Sequence, residues 1–137
     1  MKNNDLELSI ISCLLFKPEL MKQVIVKDEH FKKHYRVWRF INAVYEKFET
    51  LDIDLMYSVC SNKSQWTLMA YIEEILEYEP VVSNFMKYQK RLIEMSNEEK
   101  KETEKINQIY YLANKLLARD ISINDFEQEI ERVVGEN

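Results

Sequence analysis

Gly135 is the sole glycine in this chain of 137 residues, and Pro18 and Pro80 are its only prolines. β-Hairpins and Gly-rich ligand loops need positions that tolerate positive φ, which glycine supplies at least steric cost. So small a supply of turn residues predicts an all-α fold almost by elimination. The same count excludes loops that cradle nucleotides, because a P-loop needs two glycines around its phosphate turn and a dinucleotide fingerprint needs more. The chain is not expected to carry an ATPase centre of its own, and no cofactor is expected.

A hydrophobic share of 46% against 31% charged residues is the balance of a folded chain, not a disordered one. The length suits one domain with an appended helical element. Formal charge is -5, with a net three negative charges over residues 1–82 and two over residues 83–137. No large basic face is available for phosphate backbones, so contact with nucleic acid is not expected to be direct. Cys13 and Cys60 lie in apolar surroundings. The apolar run over residues 6–16 is interrupted by Glu7 and Ser9 and is too short to span a bilayer. The expected setting is the reducing cytoplasm, away from any membrane.

Asn4 followed by Glu7 has the form of a capping box, and Leu6, Ile10, Cys13 and Leu14 follow at helical spacing until Pro18. A short amphipathic stretch over residues 19–26 and a charged connector come next. In "HYRVWRFINAVYEKF" the set Val37, Trp38, Ile41, Val44, Tyr45 and Phe48 recurs at three and four residues, which predicts the central core helix. Asp52 is placed to cap a short helix. The helix after it, over residues 65–77, is expected to bury Trp66, Met69, Ile72 and Leu76.

Beyond Pro80 the pattern changes. Ser83 is placed to cap a helix carrying Phe85, Tyr88 and Leu92, but "SNEEKKETEK" then runs for ten residues without an apolar side chain. Ser96 with Glu99 is a second capping-box pattern, so either a helix restarts there or one long helix continues. The apolar stripe returns at Ile106, Ile109, Tyr110, Ala113, Leu116 and Leu117. Ser122 with Asp125 opens a last helix striped by Phe126, Ile130, Val133 and Val134. These divide the chain into a helical head, residues 1–82, and a helical hairpin, residues 83–137. Two helices cannot bury both stripes between them, and an apolar surface left over in this way seeks a partner. The ten stripe residues are the candidate interface.

The order of these motifs resembles the N-terminal domain of the replicative DnaB-type hexameric helicases, from about Asp5 to Val134. "LELSIISCLLFKPEL" resembles its opening helix and terminating proline. "HYRVWRFINAVYEKF" resembles its helix that begins at a histidine, "DIDLMYSV" its short Ile-Asp-Leu segment, and "AYIEEI....P...NFMKY" the stretch leading into its hairpin. The resemblance implies a domain without catalytic residues, built as head plus hairpin, that assembles as dimers and a ring collar and receives primase and loader proteins. Two departures stand out. The chain ends at Asn137, where that family continues through a linker into an ATPase domain, so helicase activity is not carried over. The segment between Tyr88 and Asn114 is also longer by roughly two turns of an idealised helix. A free-standing head of this type suits a phage or mobile element that engages a host replication protein. The expected function is therefore a non-enzymatic interaction module of DNA replication that forms a dimer or larger and engages a helicase, a helicase loader or a primase.

Four other features invite sharper readings. His30 and His34 have the spacing of two metal ligands on a helix, but no third ligand accompanies them, so no metal site is expected. Lys27, Lys32, Lys33, Arg36 and Arg39 form a locally basic stretch interleaved with Tyr35 and Trp38, the basis of the alternative reading as a small DNA-binding or transcriptional regulator. Glu73, Glu74, Glu77 and Glu79 read as a solvated helix face and not as paired catalytic carboxylates. Tyr110 and Tyr111, being adjacent, cannot share one helix face, so one is expected inside the hairpin and the other at an interface.

Overall fold

The computed structural model describes residues 3–135. The fold is all-α. Six α-helices, α1 (Asn3–Phe16), α2 (Tyr35–Phe48), α3 (Ile53–Ser58), α4 (Lys63–Ile75), α5 (Phe85–Leu117) and α6 (Ile123–Gly135), are joined by connections that include 3₁₀ turns at Pro18–Gln23, Asp28–His30 and Val82–Asn84. Among the described residues no helix is long and apolar enough to cross a membrane. The chain forms two compact units, the first ending at Met95 and the second beginning at Ser96.

α1 is the enclosed helix of the first unit. Ile10, Ile11, Cys13 and Leu14 have no exposure, and Ser12 and Leu15 between and beside them are also buried. Six consecutive buried residues, 10–15, leave no exposed face over that stretch, so the most enclosed helix is α1 and not α2. α2 keeps an amphipathic form, burying Val37, Trp38, Ile41 and Val44 and turning its charged residues outward. The Trp38 ring stacks on Phe31 at 4.1 Å between centroids, and its indole N–H donates to Asp28 Oδ1 at 2.8 Å.

Local signals place some helix starts, whereas Ser83, expected to cap α5, lies inside the 3₁₀ turn Val82–Asn84. Asp52 Oδ1 accepts from the N–H groups of Asp54 and Leu55 at 3.0 and 3.1 Å, and Asn62 Oδ1 accepts from that of Gln65 at 2.9 Å. α2 ends on Glu49, at φ 60°, and Arg119, just past α5, has φ 62°. The left-handed region costs a residue with a Cβ about 1–2 kcal/mol, so a chain almost without glycine closes these turns at some strain.

Two expectations on α4 need correction. Trp66 is 50% exposed and Leu76 45% exposed. The buried face of α4 is set by Met69, Ile72 and Ile75, with Leu68 and Tyr71 partly buried beside it, so Trp66 points away from it. Leu76 lies one residue past the helix, at its C-cap. Trp66 instead lies 5.4 Å from the Tyr57 ring at the surface.

The first unit also extends past the expected boundary at residue 82. Phe85, Gln89 and Leu92 fall at i, i+4 and i+7 on α5 and are all buried. Gln89 is wholly enclosed. Its Oε1 accepts from the N–H of Ile25 at 2.7 Å and of Val26 at 3.3 Å, and its Nε2 donates to the Gln23 carbonyl at 3.3 Å. One side chain thus satisfies an irregular strand of backbone that has no partner in secondary structure.

α5 runs unbroken through Ser96, which resolves the two alternatives left open there. The charged run over residues 97–105 contains no helix breaker, and its opposite charges recur at three and four residues, as in Glu98 with Lys101 and Lys100 with Glu104. In the second unit Ser122 Oγ accepts from the Asp125 N–H at 3.1 Å to start α6. Leu112 and Val133 are the buried apolar side chains found there.

Candidate functional site

The ten stripe residues of the second unit fall into two groups. Ile109, Ala113, Leu116, Phe126 and Ile130 are half-buried and Val133 is fully buried. On α5, Ile109 and Leu116 share a face with the buried Leu112, and Val133 is its buried counterpart on α6, which marks the seam of the hairpin. Ile106, Tyr110, Leu117 and Val134 are 52, 68, 80 and 59% exposed. On α5, residues 106, 110 and 117 stand at i, i+4 and i+11 and form one outer stripe. On α6, Ile123 and Val134 stand eleven residues apart and hold the ends of a second stripe, and Ile123 is 65% exposed. Ile123 was missing from the sequence-derived set, although its eleven-residue spacing from Val134 was there to be read. Tyr110 and Tyr111 are both exposed, so neither packs inside the hairpin. The Lys115 ammonium sits 4.9 Å from the Tyr111 ring centre.

All five residues of the basic stretch, Lys27, Lys32, Lys33, Arg36 and Arg39, are exposed. Arg36 donates to Ser64 Oγ, and Arg39 donates to Asp28 Oδ2 at 3.3 Å and to the Tyr35 hydroxyl at 3.1 Å. Of the two interleaved aromatics only Tyr35 reaches the surface, since Trp38 is 2% exposed. A stacking platform for bases needs exposed rings in succession, and this stretch offers one.

His30 and His34 are interior fasteners. His30 Nδ1 accepts from the Lys27 N–H at 2.8 Å. His34 Nδ1 is 2.7 Å from the Tyr71 hydroxyl, and the two rings stack at 5.7 Å. Glu7, buried on α1, accepts from the N–H groups of Lys32 at 2.8 Å and His34 at 3.1 Å through one carboxylate oxygen. It therefore joins α1 to the connector ahead of α2; the expected capping box with Asn4 falls on a side chain outside the described residues. Burial raises the Tyr71 hydroxyl above its ordinary pKa, with the Glu74 carboxylate adding to the effect.

Burial pushes the Cys13 thiol up to about 11 and raises that of Cys60 as well, the opposite of what an activated thiolate requires. Glu73, Glu74, Glu77 and Glu79 are exposed, and Glu73 receives the Tyr57 hydroxyl. Among the described residues no group of three or more His, Cys, Asp or Glu side chains is placed to hold a metal ion.

Residues 1–94 match the family described as DnaB-like helicase N terminal domain. No curated protein and no solved structure matches the chain. The matched stretch contains every residue of the first unit's buried core, whereas the outer stripes of α5 and α6 lie beyond it. With 94 of its 137 residues matched, the chain belongs to the DnaB-like helicase N-terminal domain family and is a replication-associated module of that type, related to the helicase's N-terminal domain and not to its motor.

Proposed function

We propose that the chain is a non-enzymatic interaction module of DNA replication, which self-associates as a dimer or larger and engages a helicase, a helicase loader or a primase. Membership of the helicase N-terminal family supports the replication setting. The observation that carries self-association is the pair of outer stripes, Ile106, Tyr110 and Leu117 on α5 with Ile123 and Val134 on α6, all of them exposed. Each such side chain removed from water contributes about 1.5–3 kcal/mol. A symmetric pair would cover each stripe twice, enough to offset an association cost of about 4–15 kcal/mol.

Sedimentation velocity from low to high micromolar concentration tests the first half, and a monomer throughout that range would sink it. The second half is tested with purified helicase, loader and primase from one host, each offered to the immobilised chain. Binding of none of the three rejects it.

A further inference from the structure

The first unit carries a second apolar feature, separate from the hairpin. Between α2, the end of α3 and α4 lies a cleft of about 380 Å³ whose apolar lining is Phe40, Ala43, Val44, Val59 and Leu68. Its charged lining residues are both cations, Arg39 and Lys47. Residues 39, 43 and 47 stand at i, i+4 and i+8 on α2, so an exposed alanine lies between two exposed cations on one helix face. Alanine there leaves room for a partner's side chains to approach the apolar lining. Phe40, Val59 and Leu68 are half-buried and present part of their surface to such a partner.

Charge decides what kind of partner fits. In a chain of net charge -5, this cleft is lined by positive charge alone, and Arg36, one turn before Arg39, extends the positive edge. Lys47 lies over the Phe48 ring at 5.4 Å. Arg39 shares its guanidinium with Asp28 and Tyr35, yet its side chain is 59% exposed and keeps further N–H donors for a partner. Two cations are a small footprint for a phosphate backbone, and a lining dominated by aliphatic side chains gives bases little to stack on. An apolar cleft edged by cations suits a helix-in-groove contact, with anchors one turn apart and carboxylates beside them.

We infer that this cleft receives an acidic amphipathic helix of a partner protein, its apolar anchors seated over Ala43 and its Asp or Glu side chains meeting Arg39 and Lys47. The inference rests on the reading of the chain as an interaction module and adds the chemistry of one surface it uses. The test is a displayed library of amphipathic 18-residue helices whose positions flanking the apolar stripe vary among Glu, Gln and Lys. It is selected on the full chain and counter-selected on Ala43→Glu. Survivors should be enriched in Glu over Lys at least tenfold relative to the input. A synthetic survivor peptide should bind at least tenfold more weakly to the Arg39→Glu/Lys47→Glu variant, with both variants melting like the parent chain by circular dichroism. Survivors without a Glu preference, no survivors after counter-selection, or displacement of the peptide by a single-stranded oligonucleotide would each overturn the inference. So would a changed sedimentation coefficient of the charge-reversed variant, which would assign the cleft to a second copy of the chain. Because the selection uses no replication protein, its failure and a failure to capture helicase, loader or primase are separate results.

Discussion

Of the buried apolar side chains among the described residues, all but Leu112 and Val133 lie before Ser96, although the second unit is hardly poorer in isoleucine, leucine, valine and tyrosine. The difference is the number of helix faces that meet. In the first unit α1 is enclosed by its neighbours and α2, α4 and the start of α5 each lay one stripe into the same core. In the second, a pair of helices has one mutual seam, and any stripe beyond it stays outside. The matched family stretch, residues 1–94, closely follows the first unit. The part with its own core is thus the part recognisable by family, while the part with unspent apolar surface is where association is proposed.

The sharpest way to break this contrast is Trp38→Ala, which removes a fully packed ring and its hydrogen bond and should destabilise the first unit by about 3–5 kcal/mol in chemical denaturation. Tyr110→Ala, at 68% exposure, should leave the same transition within about 0.5 kcal/mol. Equal losses at the two positions would mean that the second unit has a core after all.

Gln89→Ala probes the boundary between the regions. It leaves the N–H groups of Ile25 and Val26 without their acceptor, at about 1–3 kcal/mol for an orphaned buried donor. A melting temperature equal to the parent's would show that α5 does not help to hold the connector over residues 23–26.

Ile106→Glu with Leu117→Glu tests the outer stripe. Self-association should weaken at least tenfold, or about 1.4 kcal/mol, with helical circular dichroism kept. Ile109→Glu with Ile130→Glu, placed in the half-buried seam, should instead reduce the helicity of the second unit, because it puts charges where burial leaves them unpaired. If both pairs of substitutions behave alike, the division between seam and stripe is wrong.

The smallest effects are gains. Glu49→Gly and Arg119→Gly each relieve a left-handed residue, and each should raise the unfolding free energy by up to about 1 kcal/mol. A loss at either position would show that its side chain contributes more than its backbone costs.

Composition and local pattern by themselves determined the helical class, the helix starts at Asp52 and Ser122, the buried stripe of α2 and the apolar excess of the hairpin. These depend on glycine supply and on hydrogen bonds and spacings that span three or four residues. Only the tertiary structure decided that α1 is the enclosed helix, that Trp66 and Leu76 face outward, and that Ile106, Tyr110, Leu117 and Val134 lie outside the seam that holds Ile109 and Val133. It also decided that Glu7 reaches the backbone of Lys32, 25 residues away, and that Gln89 reaches that of Ile25, 64 residues away. Periodicity tells which residues share a face but not how many other helices that face will meet. A buried glutamate or glutamine reads as a surface residue until the backbone donors it serves are brought beside it by the packing of distant segments.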